Sequence, residues 1–352
     1  MRQIELSIII PTMNEELSLP TALASIARQQ QIEIEIIVAD GGSTDLTQAV
    51  ALGHHFQKIS FVSTVCDKAE QLNLGATQAV GEYLLFMHAD CSFPDDQALR
   101  KGVDSLAEAQ ARSGNKRFAG HFRLKFERNS TAPSLGYTYY ERKASLNRPG
   151  CAHGDQGILL SRKMFAEHGA FSTSCPLLAE TRLADQLREK GQWLLIPADI
   201  LTSARRFEKE GLKERQILNA VILALDAAGM DQTINGIPQI YWEQSQSKSL
   251  EIYPMLLLVR EKITALSREE RRIFWLRIGV FVRDNAWQIP FFLDVKREYG
   301  SNGIIEDSFL YWLDRFERFC STLICSRPGT YCACLITKIW FKFMLLRVGE
   351  KD

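Results

Sequence analysis

The first 90 residues alternate short apolar runs with segments whose apolar residues recur at helical spacing. The apolar runs are typical of buried strands and lie at 6–10, 34–39, 59–62 and 83–87. The segments between them that fit helices lie at 17–28, 44–52 and 68–79. Strands that alternate with helices form a parallel sheet with helices on both faces. The sequence therefore predicts an α/β fold with a Rossmann-like, mostly parallel sheet.

The rest of the chain is predicted to be mainly helical. Strand-like runs occur at 157–160 and 193–196, and later segments with helical periods lie at 212–228, 250–266, 269–282 and 309–323. The polar run Gln-Ser-Gln-Ser-Lys-Ser at 244–249 is a candidate linker. We therefore expect an α/β domain over residues 1–247 and a helical C-terminal extension over residues 248–352.

Charge and cysteine content limit the partners and the compartment. The 42 basic residues balance the 42 acidic ones, which gives no support to a nucleic-acid partner. No uninterrupted run of about 18 apolar residues occurs, so we expect no membrane-spanning helix. The eight scattered cysteines are expected to be reduced thiols. We expect the protein in the cytoplasm, with peripheral contact at the inner membrane face as an alternative.

Two aspartates follow predicted strands, and ligands of such sheets bind at the carboxyl ends of the strands. Asp40, followed by Gly41 and Gly42, can accept hydrogen bonds from a ribose hydroxyl or a base N–H. A simple turn capped by Ser43 or Thr44 explains the same residues equally well. Asp90 can bind a divalent cation that bridges a diphosphate.

Three further positions have a structural and a functional interpretation. His88 is either a second metal ligand or a histidine with its own partners at the pocket edge. Glu180 precedes a predicted helix, where it can deprotonate an acceptor hydroxyl or simply favour the helix dipole. Arg205 and Arg206 can clamp phosphate oxygens, and a solvated charged turn is the alternative.

Together these motifs resemble glycosyltransferase family 2, which has the GT-A fold, over roughly residues 4–245. The run 7–15 is similar to the first strand and donor loop of that family, and 40–45 is similar to its Asp-Asp-Gly-Ser-Thr-Asp. His88-Ala89-Asp90 lies where the family has Asp-x-Asp. The resemblance implies a transferase that uses a nucleotide sugar. It implies donor-binding roles for Pro11, Met13, Glu15, Asp40, Lys68, His88, Ala89, Asp90, Arg205 and Arg206.

A closer resemblance is to the subgroup called radical-SAM/selenodomain-associated transferases. It rests on the runs 68–76, 86–90, 154–157 and 202–206. The chain departs from the family at His88, which replaces an Asp, and at Ala179-Glu180, which replaces Glu-Asp. It departs from the subgroup at Lys68, which replaces an Arg and loses its planar fork.

The resemblance implies an inverting mechanism with a UDP- or GDP-linked sugar. Asp90, with His88 as a second candidate ligand, would hold Mg²⁺ or Mn²⁺ on the diphosphate, assisted by Lys68. An unknown hydroxyl acceptor, including a lipid-linked one, would enter beside Asp155 and Gln156. Glu180 would be the catalytic base, and a single displacement would invert the anomeric carbon.

The C-terminal segment 332–344 is apolar but interrupted by lysines. It is expected either to lie in a membrane interface or to pack as a helix on this chain or on a second subunit. Three other functions remain open from the sequence. They are a nucleotidyltransferase, a degenerate transferase that binds nucleotide as a scaffold, and a membrane-surface adaptor.

Overall fold

One mixed sheet forms the centre of the N-terminal part of the molecule. The structure is a computed structural model that describes residues 3–56, 58–65, 67–114, 117–244, 249–300 and 310–349. Its strands are β1 (Leu6–Thr12), β2 (Ile34–Asp40), β3 (Ile59–Ser63), β4 (Tyr83–Phe86), β5 (Cys91–Ser92), β6 (Phe118–Glu127), β7 (Ile158–Ser161) and β8 (Gln192–Ser203). Their order in the sheet is β3-β2-β1-β4-β7-β6-β8-β5.

The strands predicted from the first 90 residues form the parallel half of the sheet. β1 pairs in parallel with β2 and β4, and β3 pairs in parallel with β2. Seven helices accompany the sheet: α1 (Leu19–Ala27), α2 (Thr47–Gly53), α3 (Lys68–Gln78), α4 (Ala98–Ser113), α5 (Leu135–Ala144), α6 (Arg162–His168) and α7 (Ala179–Lys190). The predicted α/β class with a mostly parallel sheet is confirmed.

The other half of the sheet is mixed. β7 is antiparallel to β4 and β6, whereas β6 is parallel to β8. A search for continuous apolar runs misses β6, because its buried Phe122, Leu124 and Phe126 alternate with polar residues. That alternation is the period-two pattern of a strand.

Alternate residues of β1 are buried in two separate clusters, one on each face of the sheet. Leu6, Ile8 and Ile10 belong to one cluster, which includes the apolar side of α1. Ile9 belongs to the other cluster, which includes residues of α3 and α7 such as Leu72. These apolar contacts hold the helices that later supply Lys68 and Glu180 to the site.

The chain divides into two compact units, Met1–Thr131 with Tyr140–Ala204 and Ala132–Tyr139 with Arg205–Asp352. The described part of the second unit is helical, in agreement with the prediction for the C-terminal region. Its helices are α8 (Arg205–Glu210), α9 (Leu212–Ala228), α10 (Asp231–Glu243), α11 (Tyr253–Ala265), α12 (Arg268–Asp284), α13 (Gln288–Gly300), α14 (Tyr311–Arg315), α15 (Ser321–Ile324) and α16 (Arg327–Gly349). Most of the predicted linker, at 245–248, lies outside the described residues, and the domain boundary near residue 247 stays a prediction.

Two helix predictions need correction. α2 begins at Thr47 rather than at residue 44, and its N-cap is Leu46, which makes no side-chain cap bond. Thr44 lies in the preceding turn, where its backbone N–H donates to Asn14 Oδ1 at 2.9 Å. The helix predicted over 309–323 is broken, because a π-helical turn at Phe316–Cys320 separates α14 from α15.

One helix in the described part of the chain is long and apolar enough to cross a membrane. It is the segment Arg327–Leu346 of α16, which has a mean hydropathy of 1.3. Lys338 and Lys342 interrupt its apolar sequence, so a search for an uninterrupted apolar run does not find it. Length and composition alone do not place a helix across a membrane, so the expectation of no membrane-spanning helix stays a prediction.

His121 in β6 is a buried histidine whose two ring nitrogens are both hydrogen-bonded. Nδ1 accepts a hydrogen bond from Trp193 Nε1 at 2.6 Å, and Nε2 donates to the Ala144 carbonyl at 2.9 Å. Burial lowers the pKa of His121 from 6.5 to about 4. The imidazole is therefore neutral in the folded protein.

We expect the free energy of unfolding to fall as the pH drops from 6.5 toward 4, between the unfolded and folded pKa values of His121. In this pH range His121 binds a proton in the unfolded chain but not in the folded chain. The contribution of neutral His121 to the free energy of unfolding is therefore fully present above pH 6.5, its unfolded pKa, and is lost as the pH falls through about 4, its folded pKa. The full contribution is about 3 kcal/mol. Denaturant titrations at several pH values test it. An unchanged pH slope in His121→Gln would contradict this assignment.

Candidate active site

The carboxyl ends of β1, β2 and β4 lie at the same edge of the sheet, because the three strands are parallel and adjacent. Thr12, the last residue of β1, is opposite Asp40, the last residue of β2. His88 and Asp90 follow the end of β4. The structure thus brings both predicted strand-end motifs to the edge where ligands of such sheets bind.

The Asp40 carboxylate is 3% exposed and accepts four hydrogen bonds from the protein. Oδ1 accepts from Thr12 Oγ1 at 2.9 Å and from Ser43 Oγ at 2.5 Å. Oδ2 accepts from the backbone N–H groups of Gly42 and Ser43 at 2.9 and 2.8 Å. These bonds support the interpretation of a braced turn. The role of Asp40 on the base and ribose stays a prediction.

The predicted nucleoside-pocket residues Pro11, Met13 and Glu15 lie at the end of β1 and in the loop after it. This loop is joined to the loop after β2. The backbone N–H of Glu15 donates to Thr47 Oγ1 at 2.8 Å, and that of Asn14 donates to Ser43 Oγ at 2.8 Å. Neighbouring strand ends thus form one surface, where contact of these residues with a nucleoside stays a prediction.

Gln71 of α3 is a further residue that joins the strand ends, and the sequence motif gave it no separate role. Its side-chain Nε2 donates to the carbonyls of Thr12 at 2.7 Å and Ala39 at 2.8 Å. The amide is buried. It therefore fixes α3, whose first residue is Lys68, against β1 and β2.

Lys68, His88 and Glu180 form a connected polar group. Glu180 is in the first turn of α7, and its side chain is 8% exposed. Lys68 Nζ forms an ion pair with one Glu180 oxygen, Oε2. His88 Nε2 lies 2.8 Å from the other oxygen, Oε1, and 2.8 Å from Lys68 Nζ. Two of the predicted donor-side residues thus contact the predicted base.

The electrostatics of this group keep Glu180 ionised. Burial by itself raises the pKa of Glu180, but the electrostatic attraction of His88 and Lys68 and their hydrogen bonds outweigh burial. The pKa of Glu180 is therefore held well below its usual range. A carboxylate paired in this way is a weak base until a positive partner is withdrawn.

The position of one proton determines which bond His88 makes. Lys68 Nζ is only a donor and ionised Glu180 is only an acceptor. If Nε2 of His88 carries a proton, it donates a hydrogen bond to Glu180. If Nε2 is unprotonated, it accepts a hydrogen bond from Lys68. The imidazole therefore cannot satisfy both neighbours through Nε2 at once. These contacts occupy the nitrogen, and the role of His88 as a metal ligand stays a prediction.

Gly154, which has no side chain, leaves the space that the Glu180 carboxylate occupies. A Cβ added to Gly154 would overlap the carbon and both oxygens of that carboxylate, far inside van der Waals contact. Gly154 opens a short 3₁₀ turn, Gly154–Gln156, that also contains Asp155. A residue of any other type at 154 would force Glu180 to move.

Asp155 and Asp90 are candidate metal ligands on this edge. Burial raises the pKa of Asp155, His88 lowers it, and Glu180 and Asp90 raise it further, which indicates that these groups are neighbours. Asp155 Oδ1 is buried and has no hydrogen-bond partner in the described part of the chain. Within the described ranges no three His, Cys, Asp or Glu residues group closely enough to hold a metal alone. Mg²⁺ typically uses one or two carboxylates plus substrate phosphates, which these two aspartates fit.

The remaining predicted residues are placed as follows. Ala89 is buried beside His88. Gln156, predicted on the acceptor side, is buried, and its Nε2 donates to the Cys151 carbonyl at 3.0 Å. Arg205 and Arg206 begin α8, in the second compact unit. Their contact with a diphosphate stays a prediction.

A family model named Glycosyl transferase family 2 matches residues 7–169. Residues 7–169, somewhat less than half of the chain, are therefore similar to family 2 glycosyltransferases. The matched residues include β1, β2, β4, His88, Asp90 and the Gly154–Gln156 turn. The matched region therefore contains every part of the polar group except Glu180, which follows it in α7.

Known relatives agree with this assignment over part of their length. A "PGL/p-HBAD biosynthesis glycosyltransferase" of Mycobacterium bovis is 35% identical over an alignment of 150 residues, and the match covers 37% of this chain and 58% of that protein. A "Dolichyl-phosphate beta-glucosyltransferase" of Drosophila melanogaster is 32% identical over an alignment of 120 residues, and the match covers 30% of this chain and 37% of that protein. The chain thus matches less than two thirds of the length of each of these relatives.

A solved structure with a similar outline is a mannosyltransferase of Pyrobaculum calidifontis, determined with GDP-Man and Mn²⁺. It is 16% identical, has a TM-score of 0.47, and the match covers 97% of this chain and 88% of that one.

Proposed function

We propose that this protein is an inverting glycosyltransferase that moves a sugar from a UDP- or GDP-linked donor to a hydroxyl acceptor. The observation that best supports it is the buried Glu180 carboxylate, held by Lys68 and His88 at the ligand-binding edge of a family 2 domain. A carboxylate that is ionised and shielded from water can remove a hydroxyl proton when its positive partner leaves. We propose the cytoplasm, or the inner face of the membrane, as its location.

In this proposal the donor diphosphate lies at the strand edge near Lys68 and Asp90. Asp90, with Asp155 or His88, would hold Mg²⁺ or Mn²⁺. The cation would neutralise charge on the leaving nucleoside diphosphate. Lys68 donates to a phosphate oxygen, and Arg205 and Arg206 are proposed as further phosphate ligands from their sequence.

Transfer of Lys68 from Glu180 to the diphosphate would activate the base. Without the ammonium beside it, the pKa of Glu180 rises toward its ordinary value and the carboxylate binds a proton more strongly. The acceptor hydroxyl, on the side of Asp155 and Gln156, gives its proton to Glu180 while its oxygen attacks the anomeric carbon. The bond to the nucleoside diphosphate breaks in the same step. A single displacement of this kind inverts the anomeric carbon.

A lipid-linked molecule with a free hydroxyl group is the proposed acceptor class. The name of the Drosophila relative, a dolichyl-phosphate glucosyltransferase, supports it. Membership of the radical-SAM/selenodomain-associated subgroup is also proposed, and it rests on the motifs at Lys68, His88, Asp155 and Arg205. A nucleotide-binding scaffold is the second candidate, because the ionised Glu180 is paired with Lys68 and His88 and is a weak base in this structure.

Nucleotide binding is the first experiment. Thermal unfolding with UDP, GDP and their common sugars, with and without Mn²⁺, should show a metal-dependent rise in Tm with one diphosphate. A ligand at ~100 times its Kd adds ~2.7 kcal/mol of stability. Asp90→Asn should abolish the metal dependence. Asp96→Asn should keep it, because Asp96 is a partly exposed aspartate whose carboxylate pairs with Arg28. No shift with any nucleotide in the wild-type protein would contradict the proposed function.

A further inference from the structure

The helix α16 directs small residues toward the protein and large apolar residues outward. Thr330, Ala333 and Cys334 are buried. They face α12, and a Cβ added to Gly279 of α12 would lie 2.7 Å from the Thr330 carbonyl oxygen. The two helices therefore pack closely along this side of α16.

The opposite side of α16 is an exposed apolar surface. Six of its large side chains are between 37% and 69% exposed: Leu335, Ile336, Ile339, Trp340, Phe343 and Leu346. From the first to the last of these the helix rises about 17 Å. A continuous exposed apolar surface of this kind marks an interaction site.

The charge of this helix selects the kind of partner. Between residues 327 and 346 there are three basic residues, Arg327, Lys338 and Lys342, and no acidic one. A second copy of the chain on the same face would bring these positive charges together. An anionic surface with an apolar interior complements both the charge and the exposed side chains.

A basic groove lies beside the apolar surface. Lys338 Nζ is 5.4 Å from the centre of the Trp275 ring. Both residues line a groove of about 370 Å³ together with Arg268, Arg271 and Arg272 of α12. Arg271 already hydrogen-bonds the C-terminal end of α11, where it donates to the Thr264 carbonyl at 2.8 Å. Arg272 is paired with Glu269, to which its guanidinium donates at 2.7 Å. Arg268 and Lys338 are therefore the cations of the groove best suited to a phosphate group.

We propose that the outward face of α16 and this basic groove bind the surface of an anionic phospholipid membrane. The helix lies in the interface with its apolar side chains in the acyl region. Lys338 and Lys342 extend to the headgroups, as long basic side chains do at membrane interfaces. This membrane surface goes beyond sugar transfer and does not depend on it.

Vesicle sedimentation of the full chain tests the proposal. Vesicles of phosphatidylcholine mixed with phosphatidylglycerol should bind the protein in a salt-sensitive way, and vesicles of phosphatidylcholine alone should bind it much less. Ile336→Asp should lower partitioning about tenfold, because it removes an apolar contact and adds a negative charge. Lys338→Gln combined with Lys342→Gln should lower it about fivefold for each lysine.

Matched controls lie on the other compact unit. The first control is Leu52→Asp, at a leucine that is 57% exposed. The second is Lys163→Gln, at a lysine whose side chain is 71% exposed. Both should partition like the wild-type protein, and Tm measurements establish that every variant is folded. Equal binding of Ile336→Asp and Leu52→Asp would overturn the proposal. A wild-type dimer that Ile336→Asp converts to a monomer without lipid would overturn it too, because the face would then be a subunit interface.

Discussion

Replacing Glu180 with Gln should lower the rate of sugar transfer by about 10²- to 10⁴-fold while leaving donor affinity nearly unchanged. The amide has the shape of the carboxylate and keeps an oxygen that accepts from Lys68, but it cannot take the proton of the acceptor. Initial rates at saturating donor, together with calorimetric titration of the nucleoside diphosphate, separate the two effects. The loss should therefore appear in kcat.

The matched control for this prediction is Glu189→Gln, since Glu189 is an exposed acid on the same helix, α7. It should transfer sugar at the wild-type rate. Intact turnover by Glu180→Gln would remove Glu180 from the mechanism. A parallel loss of donor binding would instead indicate that Glu180 acts by holding Lys68 in place.

Replacing Gly154 with Ala should lower transfer by about 10²-fold or more, because the new methyl group occupies the space of the Glu180 carboxylate. Displacing a buried group in this way should also lower the free energy of unfolding by about 1–3 kcal/mol. Transfer rates and denaturant titration measure the two losses. Gly53→Ala is the control, since a Cβ there meets nothing within 4 Å.

A second substitution distinguishes a moved carboxylate from general damage. Glu180→Asp shortens the side chain by one methylene and withdraws the carboxylate from residue 154. Combined with Gly154→Ala, it should restore part of the lost stability. If the double variant loses as much free energy of unfolding as the two single variants together, a clash between the new methyl group at residue 154 and the Glu180 carboxylate is not the cause of the instability of Gly154→Ala.

The parallel half of the fold follows from local sequence. β1, β2 and β4 are mainly apolar runs, interrupted only by Ser7 in β1 and Glu35 in β2 before the polar strand ends, and such runs form strands that are buried on both faces. The start of α2 does not follow from local sequence, because Thr44 is held in the turn by Asn14, which lies 30 residues earlier. The helical capping preference of Thr44 is outweighed by that bond between two loops.

The site shows the same division between local and long-range causes. Strand-end position and motif spacing single out Asp40, His88 and Asp90. They do not predict that His88 contacts Glu180, because the two are 92 residues apart and meet only through the packing of α7 on the sheet. The overlap of Gly154 with Glu180 is likewise a matter of atomic contact. Sequence therefore predicts the candidate residues, and the structure supplies their pairing.

The central claim is that the chain transfers a sugar by a single displacement on a nucleotide-sugar donor. The most direct test is donor hydrolysis by the full chain with Mn²⁺, followed by proton NMR of the sugar at the moment of release. The proposed mechanism predicts release of the nucleoside diphosphate and a sugar with the anomeric configuration opposite to that of the donor. Retained configuration, or no release from any UDP- or GDP-linked sugar, would contradict it.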